Sequence, residues 1–583
     1  MPNYKHGDRP TIGVLAGWQV YEGGPHSFFE PLFRGIHAAA REKGCNMLLA
    51  CGIGHTGGGI HPAWPVLAPD TNFVPVGPWN TDGLIVVTPL LSDARSRYVR
   101  QLMSDGFPIV FVGTGESGPA IVIDNEGGIR QGLSHLIEHG HRRIAFIAGH
   151  GAGQPGDSEY RLKAYQAALH EYGLEADRRL LAYGLHTRPD GRKAMHQILN
   201  SGAQFTAVLA SNDESAAGAI DILQEAGIRV PQDVAVIGFD DRLEAMSLAP
   251  SLTTLHYPIF EIGRQAFSLL LKYIEDPKKG PEIVRVPTRL VIRQSCGCRP
   301  GVVRSTLETD SRVTAESIKV KLIQTMAEAV LAEARQLNVD EATALCQRLV
   351  EAFTKSLEED NAAIFYTTFT EVLRQVETVD DDTHSWQAGI SVLRSGVPML
   401  LKELHLPANR KESEEDLLHQ ARVAISDSSR RRYGRYFIEQ SIISDGVGWM
   451  TARLLAALDE GQILWTLGEY LPGLGIRHAH VIFYEQERDD AVAWSFLHPN
   501  PGAEVEEPAI QRFPTREFPP AGLYPSHDPF YLALLPLLFQ EEVTGFVAFD
   551  AANMGVCVTI VRQLAVALKS ARLHSQVLEL SLR

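Results

Sequence analysis

The sequence predicts an α/β chain: two doubly wound parallel lobes facing a cleft, then an all-helical segment, then a smaller C-terminal α/β module. Three observations predict it. Residues 9 to about 298 alternate compact β-branched runs with amphipathic stretches. Residues 305–425 lose those runs and become rich in Glu, Ala, Leu and Gln. From Ile476 the pattern turns to strand, loop, strand and closes on a helix. The implied divisions are 1–300, 301–430 and 431–583.

In the first division, TIGVLA, NMLLACG, DGLIVV, PIVFVG, AIVID, RIAFIAG, AVLAS and VAVIGFDD read as buried parallel strands. FFEPLFRGIHAAAREKG and RLKAYQAALHEYG between them read as helices ending on a C-cap glycine. So many βα units over about 290 residues exceed one ordinary sheet, hence two lobes. Ligands of such sheets sit beyond the C-terminal strand ends, which puts the site in the cleft.

Composition narrows the function classes. With 45% hydrophobic and 21% charged residues the chain is ordinary globular material. A net charge of −16 argues against a broad nucleic-acid surface, which needs clustered Lys and Arg. The N-terminus carries no signal-peptide pattern, and no run of about 18 apolar residues stands out. The expected location is therefore cytoplasmic, without membrane contact. Six scattered cysteines make no disulfide framework.

The blocks RPTIGVLAG, TDGLIVV, IDNEGGIRQGLSHLIEHGHRRIAFIAG, YRLKAYQAAL, AVLASNDESAAGAIDILQEAGIRVPQDVAVIGFDD and APSLTTLHYPIFEIGRQA resemble, in order, the sensor domain of lactose/galactose-repressor-type (LacI/GalR) regulators. The resemblance covers residues 9–298 and is most specific in GHRRIAFIAG and VPQDVAVIGFDD. It implies a periplasmic-binding-protein-like fold closing on a small polar ligand such as a sugar. It implies contacts from Arg161, Asn212 and Asp240. Their chemistry suits the roles: a planar fork of donors, an amide that donates and accepts, and a carboxylate for neighbouring hydroxyls. Trp18, Tyr21, Phe28 and Phe29 follow the first strand and are candidates for the aromatic walls that the apolar faces of a sugar need. Each has a plainer reading: Asp240 and Asp241 as a turn cap, Arg161 as a surface helix charge, the aromatics as packing. Ala164, where the family has Gly, and the loops WQVYEGGPH and GIGHTGGGIHPAWPVLAPDTNFVPVGPWN depart from the pattern, so the ligand's identity does not carry over.

No metal or cofactor is expected. His55 and His61 lack a third partner at metal spacing, and Cys296-Gly-Cys298 reads as the structural close of the domain. Repressors of this type carry a helix-turn-helix headpiece, whereas only MPNYKHGD precedes the first strand here, so direct DNA binding is not expected.

Ile318, Leu322 and Met326 recur four apart, as do Leu345, Leu349, Phe353 and Leu357, which predicts striped helices suited to spacing and dimerisation. VETVDDDTHSW reads as a connecting loop, and SSRRRYGRYF as a solvated helix start. A long linking helix is expected around Ile438, Ile442, Met450 and Leu454. LLPLLFQEEVTGFVAFD resembles the paired central strands of a GAF domain, a small sensor module. The last helix carries Leu573, Val577 and Leu580 on one face, a stripe suited to pairing and to passing a signal onward.

No nucleophile elbow, P-loop, dinucleotide fingerprint, kinase set or zinc-hydrolase motif is present, so no catalytic residue and no enzymatic activity are expected. The sequence therefore predicts a sugar or metabolite sensor, a homodimer paired through its helices, and an output through a downstream signalling protein or domain. The alternative is a transcriptional regulator of the same family acting on DNA through a partner.

Overall fold

The computed structural model describes residues 4–16, 28–50, 76–88, 93–114, 117–150, 156–277, 279–298, 315–331, 334, 337–379, 381–403, 411–485, 494–498, 510–525, 527–539, 542–551 and 554–582. Trp18, Tyr21, His55 and His61 lie outside these residues.

The first lobe opens with β1 (Thr11–Leu15), α1 (Glu30–Lys43), β2 (Asn46–Ala50), β3 (Gly83–Val87), α2 (Asp93–Ser104), β4 (Ile109–Val112) and β5 (Ala120–Ile123). The chain then crosses to the second lobe through α3 (Asn125–Glu138), β6 (Ile144–Ala148), α4 (Asp157–Glu171), β7 (Leu181–Tyr183), α5 (Arg188–Asn200), β8 (Ala207–Ala210), α6 (Asp213–Glu225), β9 (Ala235–Asp240), α7 (Leu243–Ser247) and β10 (Thr253–His256). α8 (Ile259–Glu275) and β11 (Ile283–Val286) return to the first lobe, and β12 (Arg289–Val291) goes back to the second. The strand orders are β11-β5-β4-β3-β1-β2 and β12-β10-β9-β8-β6-β7. Pairing is parallel except between β10 and β12.

Local chemistry sets the helix ends. Asp124, Thr187 and Asn212 cap α3, α5 and α6 through their side-chain oxygens. Gly44, with φ +63°, ends α1 in the left-handed region. α1 and α8 touch backbone to backbone: a Cβ on Gly35 would strike the Phe260 carbonyl, and one on Gly263 the Leu32 carbonyl.

The helical segment comprises α9 (Ala315–Leu331), α10 (Val339–Glu359), α11 (Ala362–Thr378), α12 (Trp386–Glu403) and α13 (Lys411–Ala456). Its core buries the predicted stripes, Ile318, Leu322 and Met326 with Leu345, Leu349, Phe353 and Leu357, around a fully buried Trp386. Asn338 and Glu341 start α10 with a reciprocal capping box. α13 runs unbroken for 46 residues. The division expected near residue 430 thus falls inside one helix, and the basic run 428–437 lies mid-helix rather than at a helix start.

The C-terminal part adds α14 (Glu460–Tyr470), β13 (Ala479–Tyr484), β14 (Trp494–His498), β15 (Gln511–Pro514), β16 (Tyr531–Phe539), β17 (Glu542–Asp550) and α15 (Met554–Leu582). Its antiparallel sheet, in the order β16-β17-β13-β14-β15, does not stand alone. β16 pairs parallel with β2, so that the first lobe and this module share one 11-stranded sheet. The Met47 amide donates to the Phe530 carbonyl at 2.9 Å, and Asn46 Oδ1 accepts from the Phe530 amide at 3.2 Å. Apolar cores run across the joint on both faces, with Met47 and Leu49 in one cluster with Leu535 and Phe549, and Leu48 and Leu84 in another with Leu532 and Phe546.

Among the described residues one helical stretch, Met554–Leu578, is by length and composition apolar enough to cross a membrane. Of that window 56% is buried, as in a core helix. Ile560, Val561 and Leu564 lie in the core of the shared sheet.

Candidate functional site

Two of the chain's crossings between the lobes place Asn125 and Tyr257 beside the C-terminal ends of the second-lobe strands. α4 points its first turns there, and with them Asp157 and Ser158, with Arg161 four and three positions further on. Arg161 is buried, so it is not a surface charge. Its Nε donates to Asn125 Oδ1 at 2.8 Å, and its Nη1 donates to the Ser211 carbonyl and to Asp240 Oδ1 at 3.4 Å. The guanidinium lies 3.6 Å from the centre of the Phe239 ring, a cation–π contact that holds the fork in one plane.

Asp240 ends β9 with φ +108°, followed by Asp241 at +55°. Non-glycine residues rarely adopt such angles, and strain of this kind concentrates at binding sites. The two carboxylates divide the work. Asp241 is turned inward, bonded to Arg293 Nη2 at 2.6 Å and His256 Nδ1 at 2.9 Å. Asp240 faces Arg161. Burial pushes its carboxyl up to about 6 against the pull of Arg161 and Arg242.

Asn212 caps α6, accepting from the Ser215 amide and donating to the His186 carbonyl, each at 3.0 Å. An amide can make four hydrogen bonds, so the cap leaves capacity for a ligand. Phe28 packs edge-on against Tyr257 with ring centres 5.4 Å apart, and against Phe29 at 5.0 Å. Phe29 itself is buried among core residues. The structure therefore brings Arg161, Asp240 and Asn212 together, with Phe28 connected to them through Tyr257.

Several residues here were not singled out in the sequence. Asp157 Oδ1 accepts from Asn125 Nδ2 at 2.9 Å and from Thr114 Oγ1, on the first lobe, at 3.2 Å, and so bridges the lobes. His186 hydrogen-bonds Ser158 and lies edge-on to His150. Burial, Arg161 and His150 hold its imidazole down at about 3. Asp213, behind Asp240, accepts from Thr254 Oγ1 at 2.5 Å and the Arg242 amide at 2.8 Å. Burial and the neighbouring Asp240 raise it well above the carboxylate range. The helical spacing of Asp157, Ser158 and Arg161 was a readable signal. His186, on a short positive-φ turn, offered none.

Two Rossmann-like lobes, a thrice-crossed boundary and a polar cluster at the strand ends define a periplasmic-binding-protein-like ligand domain. Residues 133–296 match the family model described as a periplasmic binding protein-like domain. Over 292 residues the chain is 33% identical to the HTH-type transcriptional regulator CelR of Thermobifida fusca, covering 47% of this chain and 79% of that one. It is 34% identical over 222 residues to the HTH-type transcriptional regulator GalR of Escherichia coli (strain K12), covering 38% of this chain and 64% of GalR. The solved transcriptional regulator CelR–cellobiose complex shares 29% identity, with a TM-score of 0.40, over 49% of this chain and 85% of that one. Through its first half the chain belongs to the LacI/GalR family. It spans somewhat under two thirds of the length of GalR.

Proposed function

We propose that this chain is a cytoplasmic sensor of a small polar ligand, a sugar or related metabolite, and that it passes occupancy to a partner or output domain. The observation that carries this reading is the buried Arg161–Asp240 pair, held on strained backbone where the two lobes meet. Arg161, Asp240 and Asn212 would fix the ligand's hydroxyls. Phe28 would supply an apolar wall, with Trp18, Tyr21 and Phe29 as further candidates. Membership of the family of the regulators CelR and GalR supports a small-molecule sensor. The role is binding, with neither catalysis nor a cofactor.

The C-terminal module is read as GAF-like, from its five antiparallel strands backed by α13, α14 and α15. Because β2 and β16 are paired, movement of the first lobe around a ligand would carry this module with it. The chain is proposed to act as a homodimer through its exposed helix faces, without membrane contact and without direct DNA binding.

A calorimetric titration of the intact chain against sugars, nucleosides and polyols tests the reading. A true ligand at 100 times its dissociation constant should stabilise the fold by about 2.7 kcal/mol, and Asp240→Asn at the same ligand concentration should cut that gain to about 0.4–1.4 kcal/mol. Stabilisation that is identical in the variant would place the ligand elsewhere. A second reading, regulation of transcription through a DNA-binding partner, is favoured by the names of the relatives. A ligand-sensitive complex with DNA, formed only when a partner is added, would select it.

A further inference from the structure

α3 leads away from the cleft, and its last turn carries His135, with His139 just past its end. The strand-end segment that closes the second lobe returns Cys298 to the same place, 159 positions beyond His139 in sequence. Cys298 Sγ lies 3.2 Å from His139 Nε2 and 3.6 Å from His135 Nε2, and the three donor atoms all fall within 4.8 Å of one another. Zinc bound to sulfur at about 2.3 Å and to nitrogen at about 2.0–2.1 Å sets those donors roughly 3.5 Å apart at the tetrahedral angle. The observed separations bracket that edge.

The histidines are oriented for the task. His139 Nδ1 lies 2.7 Å from the His135 carbonyl, an acceptor only, so Nδ1 carries the proton and Nε2 keeps its lone pair toward the sulfur. The rings of His135 and His139 are one helical turn apart, with centres separated by 4.4 Å. His141, the next imidazole, is engaged with Thr206 Oγ1 at 2.9 Å and is not counted in the set. Cys296 points elsewhere, toward the Arg293 carbonyl at 3.7 Å.

We propose that His135, His139 and Cys298 form a binding site for a thiophilic divalent cation of the zinc class, which pins the end of the ligand-binding domain to α3. The fourth position is left to water or another small donor. Binding converts the Cys298 thiol to a thiolate and releases its proton to solvent. Mixed thiolate–imidazole ligation selects zinc-like ions over magnesium or calcium. The site sits at the opposite end of α3 from Asn125 and its partner Arg161, and Cys298 is the last described residue before the helical segment in sequence. A cation here would fix the point from which the chain continues.

Cobalt(II) added to the reduced, metal-free, full-length chain tests the site. One equivalent should bind, with a thiolate-to-cobalt charge-transfer band and the intense visible bands of tetrahedral cobalt, and zinc should displace it. Cys298→Ser should lose the charge-transfer band, and His139→Ala, at an exposed position, should bind about 100-fold more weakly or worse. Cys296→Ser should keep the spectrum. Circular dichroism of each variant separates loss of metal from loss of fold. No band in the wild-type chain with its thiols confirmed reduced, or an unchanged band in Cys298→Ser, would overturn the proposal. Sugar binding need not change in these variants, so the outcome is independent of the cleft.

Discussion

Asp240 can accept from two hydroxyls only as a carboxylate, and burial keeps it protonated up to about pH 6. Ligand affinity should therefore climb as pH rises through about 6 and level off above it. The same shift acts on stability. Between about 4, the ordinary value in an unfolded chain, and about 6, the folded state holds the extra proton, so stability falls as pH rises through that window. His186 works the other way. Held at about 3 against about 6.5 unfolded, it makes the folded state lose stability as pH drops below about 6.5. The two nearly oppose each other between about pH 4 and 6, so affinity rather than melting temperature reports on Asp240. Calorimetry across this range should show Asp240→Asn binding roughly 10- to 100-fold more weakly at high pH, with a flattened profile. Arg161 is a different case, because its partners include Asn125, the Ser211 carbonyl and Asp240, all buried or nearly so. Arg161→Ala leaves Asp240 uncompensated and should cost about 3–5 kcal/mol in urea unfolding. A cost under about 1 kcal/mol would mean that the pair is solvated. The sequence singled out Arg161, Asn212 and Asp240 as candidates because each sits in a block with a family pattern, and the fold places them beside one another. It could not show that Asp241 turns inward, since that depends on Arg293 and His256, which are remote in the chain. For the same reason the sequence could not show that Cys298 meets His135 and His139.

Among the elements, the parallel strands and striped helices were readable because their periods follow directly from which face is buried. The joint between β2 and β16 was not. Pairing of two edges depends on where the whole module docks, and neither strand encodes its partner. One hint was present: residues 532–537, LALLPL, are apolar without alternation, as in a strand covered on both faces, and the structure buries all of them. Amides of Met47 and Leu49 should accordingly exchange as slowly as those of the central strands β1 and β3. Rapid exchange there, with slow exchange in β1, would mean that the edge opens. α13 was legible as helix but not in its extent, since Gly434, Gly446 and Gly448 punctuate it. A Cβ at Gly434 or Gly448 would meet nothing within 4 Å. Gly434→Ala and Gly448→Ala should each stabilise the chain by about 0.5–1 kcal/mol, read by thermal or urea unfolding. Destabilisation by either variant would show that its helical geometry is not that of an ordinary interior turn.

At the scale of the whole molecule, the ligand cleft and the C-terminal helix are connected through one sheet, and what α15 does with its exposed face becomes the question. Val566, Leu573, Val577 and Leu580 are 43%, 50%, 63% and 73% exposed, and the last three are spaced four and three apart. That spacing is a coiled-coil seam, which a monomer leaves in water. α13 adds Phe437, Ile438, Ile442 and Trp449, also exposed. A second copy of the chain would cover both stripes with the same chemistry on each side, as a two-fold interface requires. Light scattering at micromolar concentration should return twice the mass of one chain, and Val577→Asp together with Leu580→Asp should shift it toward one. If movement of the first lobe reaches α15 through β2, β16 and β17, ligand should alter how the two copies of that helix meet. Single cysteines placed by Leu573→Cys, Val577→Cys and Leu580→Cys report on this, since a disulfide forms only where Cα atoms approach within about 7 Å. The ligand-free dimer should cross-link best at one set of these seam positions, and saturating ligand should change the relative yields. Identical yields in both states, with ligand binding at the cleft confirmed in the same sample, would show that the helix pair is a fixed clasp and that the signal leaves the molecule by another route.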